Sequence, residues 1–145
     1  MKKLTLILTV TLAAFTMFAA EGEWLTDLTK AQEKAKAENK LVLMDFTGSD
    51  WCPPCKNLHK TVLMSEEFNK FAKDNLVLVE IDFPKSKTQT AELKAANREL
   101  NKKYGIKGYP TIIVLDGSGK EVFKKVGYGG TSAKDYVADL AKLKK

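Results

Sequence analysis

The sequence predicts an α/β domain: a central mixed sheet flanked by helices, ending in an antiparallel hairpin and a final helix. Three observations carry this. Apolar runs of strand length alternate with amphipathic segments of helical period from about residue 27 to residue 104. The last third changes pattern, with two strand-like runs joined by the turn Asp116-Gly117-Ser118-Gly119. Between the first strand-like run and the helix after it lies Cys52-Pro53-Pro54-Cys55, which holds both cysteines of the chain.

From Asp27 to Asn39, Leu28, Ala31 and Ala35 recur at helical spacing among Lys and Glu, the pattern of an amphipathic helix. Leu41 to Phe46 is a nearly continuous apolar run, as expected of a strand buried on both faces. Thr47-Gly48-Ser49-Asp50 breaks it. Pro53 then opens a helix predicted to reach Met64, because proline is tolerated in a first turn and Leu58, Val62 and Leu63 share one side. Ser65-Glu66-Glu67 reads as the capped start of another helical stretch, with Phe68 and Phe71 as its apolar contacts and Asn75 as its end. Leu76 to Asp82 is a second buried strand, and Thr90 to Tyr104 a long helix closed by Gly105. Thr111–Leu115 and Glu121–Val126 form the hairpin, and Ser132 caps a last helix reaching about Lys142. The crossovers are expected to give parallel pairings and the hairpin an antiparallel edge.

The 145 residues, 44% hydrophobic and 29% charged, suit one soluble domain. Residues 1–20 are set apart: Met1-Lys2-Lys3 is a basic start, and Leu4 to Ala20 is apolar and uncharged. Thr5, Thr9, Thr11 and Thr16 dilute its hydrophobicity, and Ala19-Ala20 offers small residues to a peptidase. The expectation is a signal peptide over 1–20, an exported or periplasmic domain over 21–145, and, as the competing reading, a retained N-terminal membrane anchor facing the same side. With Lys2 and Lys3 gone, Lys plus Arg falls from 24 to 22 against 18 acids, a formal charge of about +4. The lysines alternate with glutamates along helical stretches, so they describe a solvated face and not a nucleic-acid-binding one. A monomer is expected.

The cysteine pair lies at the start of a helix, where unpaired N–H groups and the helix dipole favour an anion. A thiolate is the nucleophile of disulfide exchange, and Cys52 at this position is expected to titrate below an ordinary thiol. Pro53 and Pro54 lack N–H groups and contribute stiffness more than charge stabilisation. Cys55, one turn further in, is expected to be shielded and to resolve the mixed disulfide. A purely structural bridge is disfavoured, because a loop of two intervening residues constrains little of the unfolded chain. Metal binding is the rival reading: with His59 the pair offers three ligands, one short of a closed zinc site, and two thiolates suit copper(I). Covalent haem is excluded by Lys56, which stands where histidine is required.

These residues give the chain a resemblance to the thioredoxin superfamily over essentially all of the mature domain. They are Asp45-Phe46, Trp51-Cys52-Pro53-Pro54-Cys55-Lys56, Ile81-Asp82 and Gly108-Tyr109-Pro110-Thr111. Asp45 to Lys56 looks most like exported members, including the C-terminal domain of the transmembrane disulfide reductase. The resemblance implies a protein-disulfide reductase that exchanges disulfides with exported proteins, re-reduced by a membrane or exported redox partner, without a cofactor. It makes Pro110 a cis-proline facing the dithiol, with Tyr109 and Thr111 lining the client groove and Trp51 covering the motif. Asp45 is the candidate general base, although it lies seven residues before Cys52 where the family spaces six, which implies an insertion around Gly48-Ser49. Leu78 stands at the position of the family's lysine partner to that carboxylate. Asp45 and Asp82 are also readable as strand-end caps.

Overall fold

The computed structural model describes residues 22–144. The signal-peptide expectation for residues 1–20 lies outside them. Five strands form one sheet in the order β1-β3-β2-β4-β5: β1 (Trp24–Leu25), β2 (Leu41–Thr47), β3 (Leu76–Asp82), β4 (Thr111–Leu115) and β5 (Glu121–Val126). The helices are α1 (Leu28–Glu38), α2 (Pro53–Leu58), α3 (Glu66–Asn75), α4 (Ala91–Lys103) and α5 (Ala133–Ala141).

β2 is the spine. Its alternate side chains enter opposite layers, because successive residues of a strand point to opposite faces. Val42, Met44 and Phe46 pack with Leu28, Ala31 and Ala35 of α1 and with Ile81 and Ile113. Leu43 packs on the other side with Leu58, Val62, Phe68, Tyr136 and Leu140. Phe46 and Phe68 are wholly buried, and each such side chain contributes about 1.5–3 kcal/mol. The helix starts are capped by side chains: Asp27, Ser65, Thr90 and Ser132 accept from the backbone N–H of Lys30, Phe68, Leu93 and Asp135.

Three features depart from the sequence reading. Trp24-Leu25 is a two-residue edge strand, parallel to β3, too short to leave a periodic signature. The helix after the dithiol stops at Leu58 and continues as a π-helical turn, His59–Leu63, in which the Met64 N–H donates to the His59 carbonyl five residues back. Thr61 assists there, its hydroxyl donating to the Asn57 carbonyl at 2.6 Å. Finally, the crossover through α4 does not give a parallel pairing: β4 runs antiparallel to β2. Residues 104–110 carry the chain back to the end of the sheet where β2 finishes, so Thr111 starts beside Phe46 and β4 runs the opposite way. This return places Pro110 at the dithiol end of the sheet.

Candidate active site

Gly48 accepts the N–H groups of Trp51 and Cys52 at 3.2 and 2.9 Å, closing a turn between β2 and α2. Cys52 occupies the cap position in extended conformation (φ −94°, ψ 104°), and its carbonyl takes the Lys56 N–H at 3.1 Å. Pro53 and Pro54 fill the first two helical positions, where a missing N–H breaks no helical bond. Cys52 and Cys55 form a disulfide, with Cα atoms 5.3 Å apart, and both are 3% exposed.

Aromatic rings border the disulfide's turn. The Trp51 indole is 37% exposed and its Nε1 donates to the Phe83 carbonyl at 2.7 Å. Tyr109 stands edge-on to Trp51 at 6.0 Å and lies 5.3 Å from the Phe83 ring, while its hydroxyl donates to Asn101 at 3.0 Å. The Tyr109–Pro110 peptide is cis. The Pro110 carbonyl accepts the Gly127 N–H at 2.7 Å, so β5 fastens this loop from behind.

The close approach of Trp51 requires Gly48. A Cβ there would fall 2.5 Å from the indole. Gly48→Val is therefore expected to expel the ring from its seat, with a red-shifted indole emission and a stability loss of about 1–3 kcal/mol in urea unfolding. Unchanged emission and midpoint would show that the indole does not rest on Gly48.

The two aspartates have different surroundings. Asp82 is an anchor: its carboxylate accepts from Ser49 N–H at 2.9 Å and from Ser49 Oγ at 2.5 Å, and its carbonyl accepts from Gln89 and Asn97 side chains. Asp45 is no strand-end cap. It lies inside β2, 3% exposed, in register with Glu80 of β3 and with Ile112 of β4, and its Oδ1 has no hydrogen-bond partner. Burial, reinforced by the charges of Glu80 and Asp82, pushes its carboxyl up to about 8. By alternation Asp45 shares the face of Leu43, the face packed by Leu58 and Val62 of the dithiol helix and the turn after it. Glu80 is half-buried, and its carboxyl is also raised, by burial and then by Asp82.

Ser49 and Asp50 carry roles that the sequence did not signal. Asp50 accepts from the backbone N–H groups of Lys85, Ser86 and Lys87, which hold its carboxyl below the usual range. The metal reading loses its third ligand. His59 is exposed with its ring 6.4 Å from Trp24, and among the described residues no group of three His, Cys, Asp or Glu side chains is placed to hold a metal ion.

A mixed sheet covered by helices on both faces, with a buried disulfide at a helix cap and a cis-proline loop at the same end of the sheet, defines a thiol–disulfide oxidoreductase of the thioredoxin fold. The chain belongs to the thioredoxin-like domain family, whose model matches residues 28–144. It is 34% identical over 129 residues to the disulfide bond reductase DsbH of Chlamydia pneumoniae, covering 87% of this chain and 76% of that protein. A solved structure of a DsbH oxidoreductase superposes with a TM-score of 0.79 at 30% identity, covering 98% of this chain and 94% of the other. The thiol:disulfide interchange protein DsbD of Actinobacillus pleuropneumoniae is 29% identical over 122 residues, which span 83% of this chain but 19% of that protein.

Proposed function

We propose that the protein reduces disulfides in exported proteins, with Cys52 as nucleophile and Cys55 as resolving thiol. The observation that carries this is the Cys52–Cys55 disulfide at the cap of the dithiol helix, where the reduced Cys52 sulfur gains from the helix terminus. The Cys52 thiolate attacks one sulfur of a client disulfide, forming a mixed disulfide and releasing the client's other sulfur as thiolate. Cys55 then loses its proton and attacks Cys52, closing the internal disulfide and releasing the client's second thiolate. The client gains two electrons and the enzyme loses two. Asp45 is the acceptor for the Cys55 proton, a role supported by its burial on the dithiol face and its unpaired Oδ1. Tyr109 and Pro110 hold the client backbone as an added strand segment, and Trp51 shields the reacting sulfurs.

The reducing direction is supported by the similarity to a protein named a disulfide bond reductase. The apolar stretch Leu4 to Ala20 supports export, with cleavage near Ala20 and re-reduction by a membrane or exported partner. Among the described residues no helix is long and apolar enough to cross a membrane.

Equilibrating the domain with glutathione buffers tests the direction. A potential more negative than about −220 mV, with stoichiometric reduction of a disulfide peptide, is expected. A value near the about −120 mV of strong oxidants would reverse it.

A further inference from the structure

The connection between β3 and α4 is tied to the turn preceding the dithiol, and the tie fixes where its lysines stand. Asp50, two residues before Cys52, accepts the N–H groups of Lys85, Ser86 and Lys87 at 3.0, 2.6 and 3.2 Å. Three successive donors on one carboxylate, together with the Trp51 bond to the Phe83 carbonyl, leave this loop little freedom. Lys85 Nζ is thereby held 4.4 Å from the centre of the Trp51 ring, and Lys87 Nζ donates to Ser49 Oγ at 3.0 Å. From the opposite flank, Lys56 Nζ donates to the Asp50 carbonyl at 2.8 Å.

Of the acids near this turn, Asp50 and Asp82 are already engaged, while half-buried Glu80 feels the charge of Lys87. Asp50 faces backbone amides, and Asp82 is 8% exposed and bonded to Ser49. Beyond Pro84, a cavity of about 240 Å3 between the loop and α4 is bordered by Lys94 and Arg98. A cationic flank therefore runs from the turn of Cys52 along the Phe83 side of the aromatic border. Its sign matters to the chemistry. The form of Cys52 that attacks a disulfide is the thiolate, an anion, which repels a carboxylate beside a client disulfide, and ammonium groups around the turn reverse that repulsion.

We propose, resting on the exchange reading above, that this flank is a docking surface for extended client segments whose disulfide-bonded cysteines are flanked by Asp or Glu. Lys85 and Lys87 meet the carboxylates nearest the cysteine, and Lys94 and Arg98 meet those further along. Charge matching of this kind acts chiefly on the encounter rate and weakens with salt.

The test uses three peptides, each closed by one disulfide, with Asp, Ser or Lys beside the cysteines. With the reduced protein at low ionic strength, the Asp peptide is expected to react about tenfold faster than the Ser peptide, and the Lys peptide more slowly than either. High salt compresses the differences. In the double variant Lys85→Gln, Lys87→Gln the Asp-to-Ser ratio falls towards one; because the ratio is taken within one protein, a general loss of reactivity does not mimic this result. Equal rates for all three peptides with the unaltered protein, or a ratio that survives in the double variant, overturn the proposal. A backbone-amide titration of the oxidised protein with the same sequences carrying Ser for Cys reads docking without exchange. Shifts at Lys85 to Lys87 specific to the Asp peptide support the surface even if no peptide is reduced, in which case the exchange reading alone fails. Their absence overturns it.

Discussion

Cys52→Ser is expected to lower the rate of client-disulfide reduction by more than about a thousandfold while leaving the melting profile unchanged. The serine hydroxyl is no substitute for a thiolate at neutral pH, but serine is among the best helix caps, so the extended cap geometry of residue 52 and the start of α2 are preserved. Losing the disulfide costs little, since the loop it closes contains only two residues between the cysteines. Cys55→Ser has a different outcome. The nucleophile survives and the resolving sulfur is gone, so the variant accumulates a covalent adduct with the client that mass spectrometry reads as the summed mass. Turnover by Cys52→Ser, or adduct trapped through Cys55 with Cys52 absent, would remove the assigned roles. Alkylation of the reduced protein supplies the matching kinetic measurement: Cys52 is expected to react at a pH where an ordinary thiol is protonated, and faster than Cys55.

Much of the scaffold behind these roles was legible in the residues. The runs Leu41–Thr47 and Leu76–Asp82 read as strands because both faces of each are covered, and that burial requires continuous apolar character. Two caps were legible because Ser65 and Ser132 bond within their own first turn, a local event that needs no knowledge of the rest of the chain. What escaped is non-local. The direction of β4 depends on where residues 104–110 deliver the chain, and the π-helical turn depends on competing backbone bonds around Thr61. By sequence Asp50 is an ordinary turn aspartate and Asp82 a strand end or its cap. Their partners lie 33–37 residues away, and no short-range pattern encodes them. The dithiol itself was legible because its chemistry is carried by spacing and by one helix start. The charge state of Asp45 was not, since it is set by the layers closing over β2 and by Glu80 across the ladder.

That charge state leads to the second large effect, at Asp45. Its carboxyl titrates near 3.8 when solvated and at about 8 in the folded protein, so between those values the native state binds a proton that the unfolded chain has lost. The associated stability is fully present below about pH 4 and is lost as the pH rises through about 8, on the order of 1.4 kcal/mol per pH unit within that window. Asp45→Asn removes the titrating group. Its unfolding free energy should be flatter over the same window and exceed that of the unaltered protein above about pH 8. Denaturant midpoints measured across this range check it, and parallel curves for the two proteins would mean that Asp45 is ionised in the native state. Glu80, whose carboxyl is also raised, by burial and then by Asp82, remains in the variant, so a residual slope is expected. Function follows from the same proton. On the proposed role of Asp45 as acceptor of the Cys55 proton, resolution of the mixed disulfide requires it ionised, so the rate should climb with pH through about 8, and Asp45→Asn should lose that inflection and resolve about a hundredfold more slowly. In the reverse reaction the neutral carboxyl serves equally, since it holds in the core the proton that the departing Cys55 sulfur must receive.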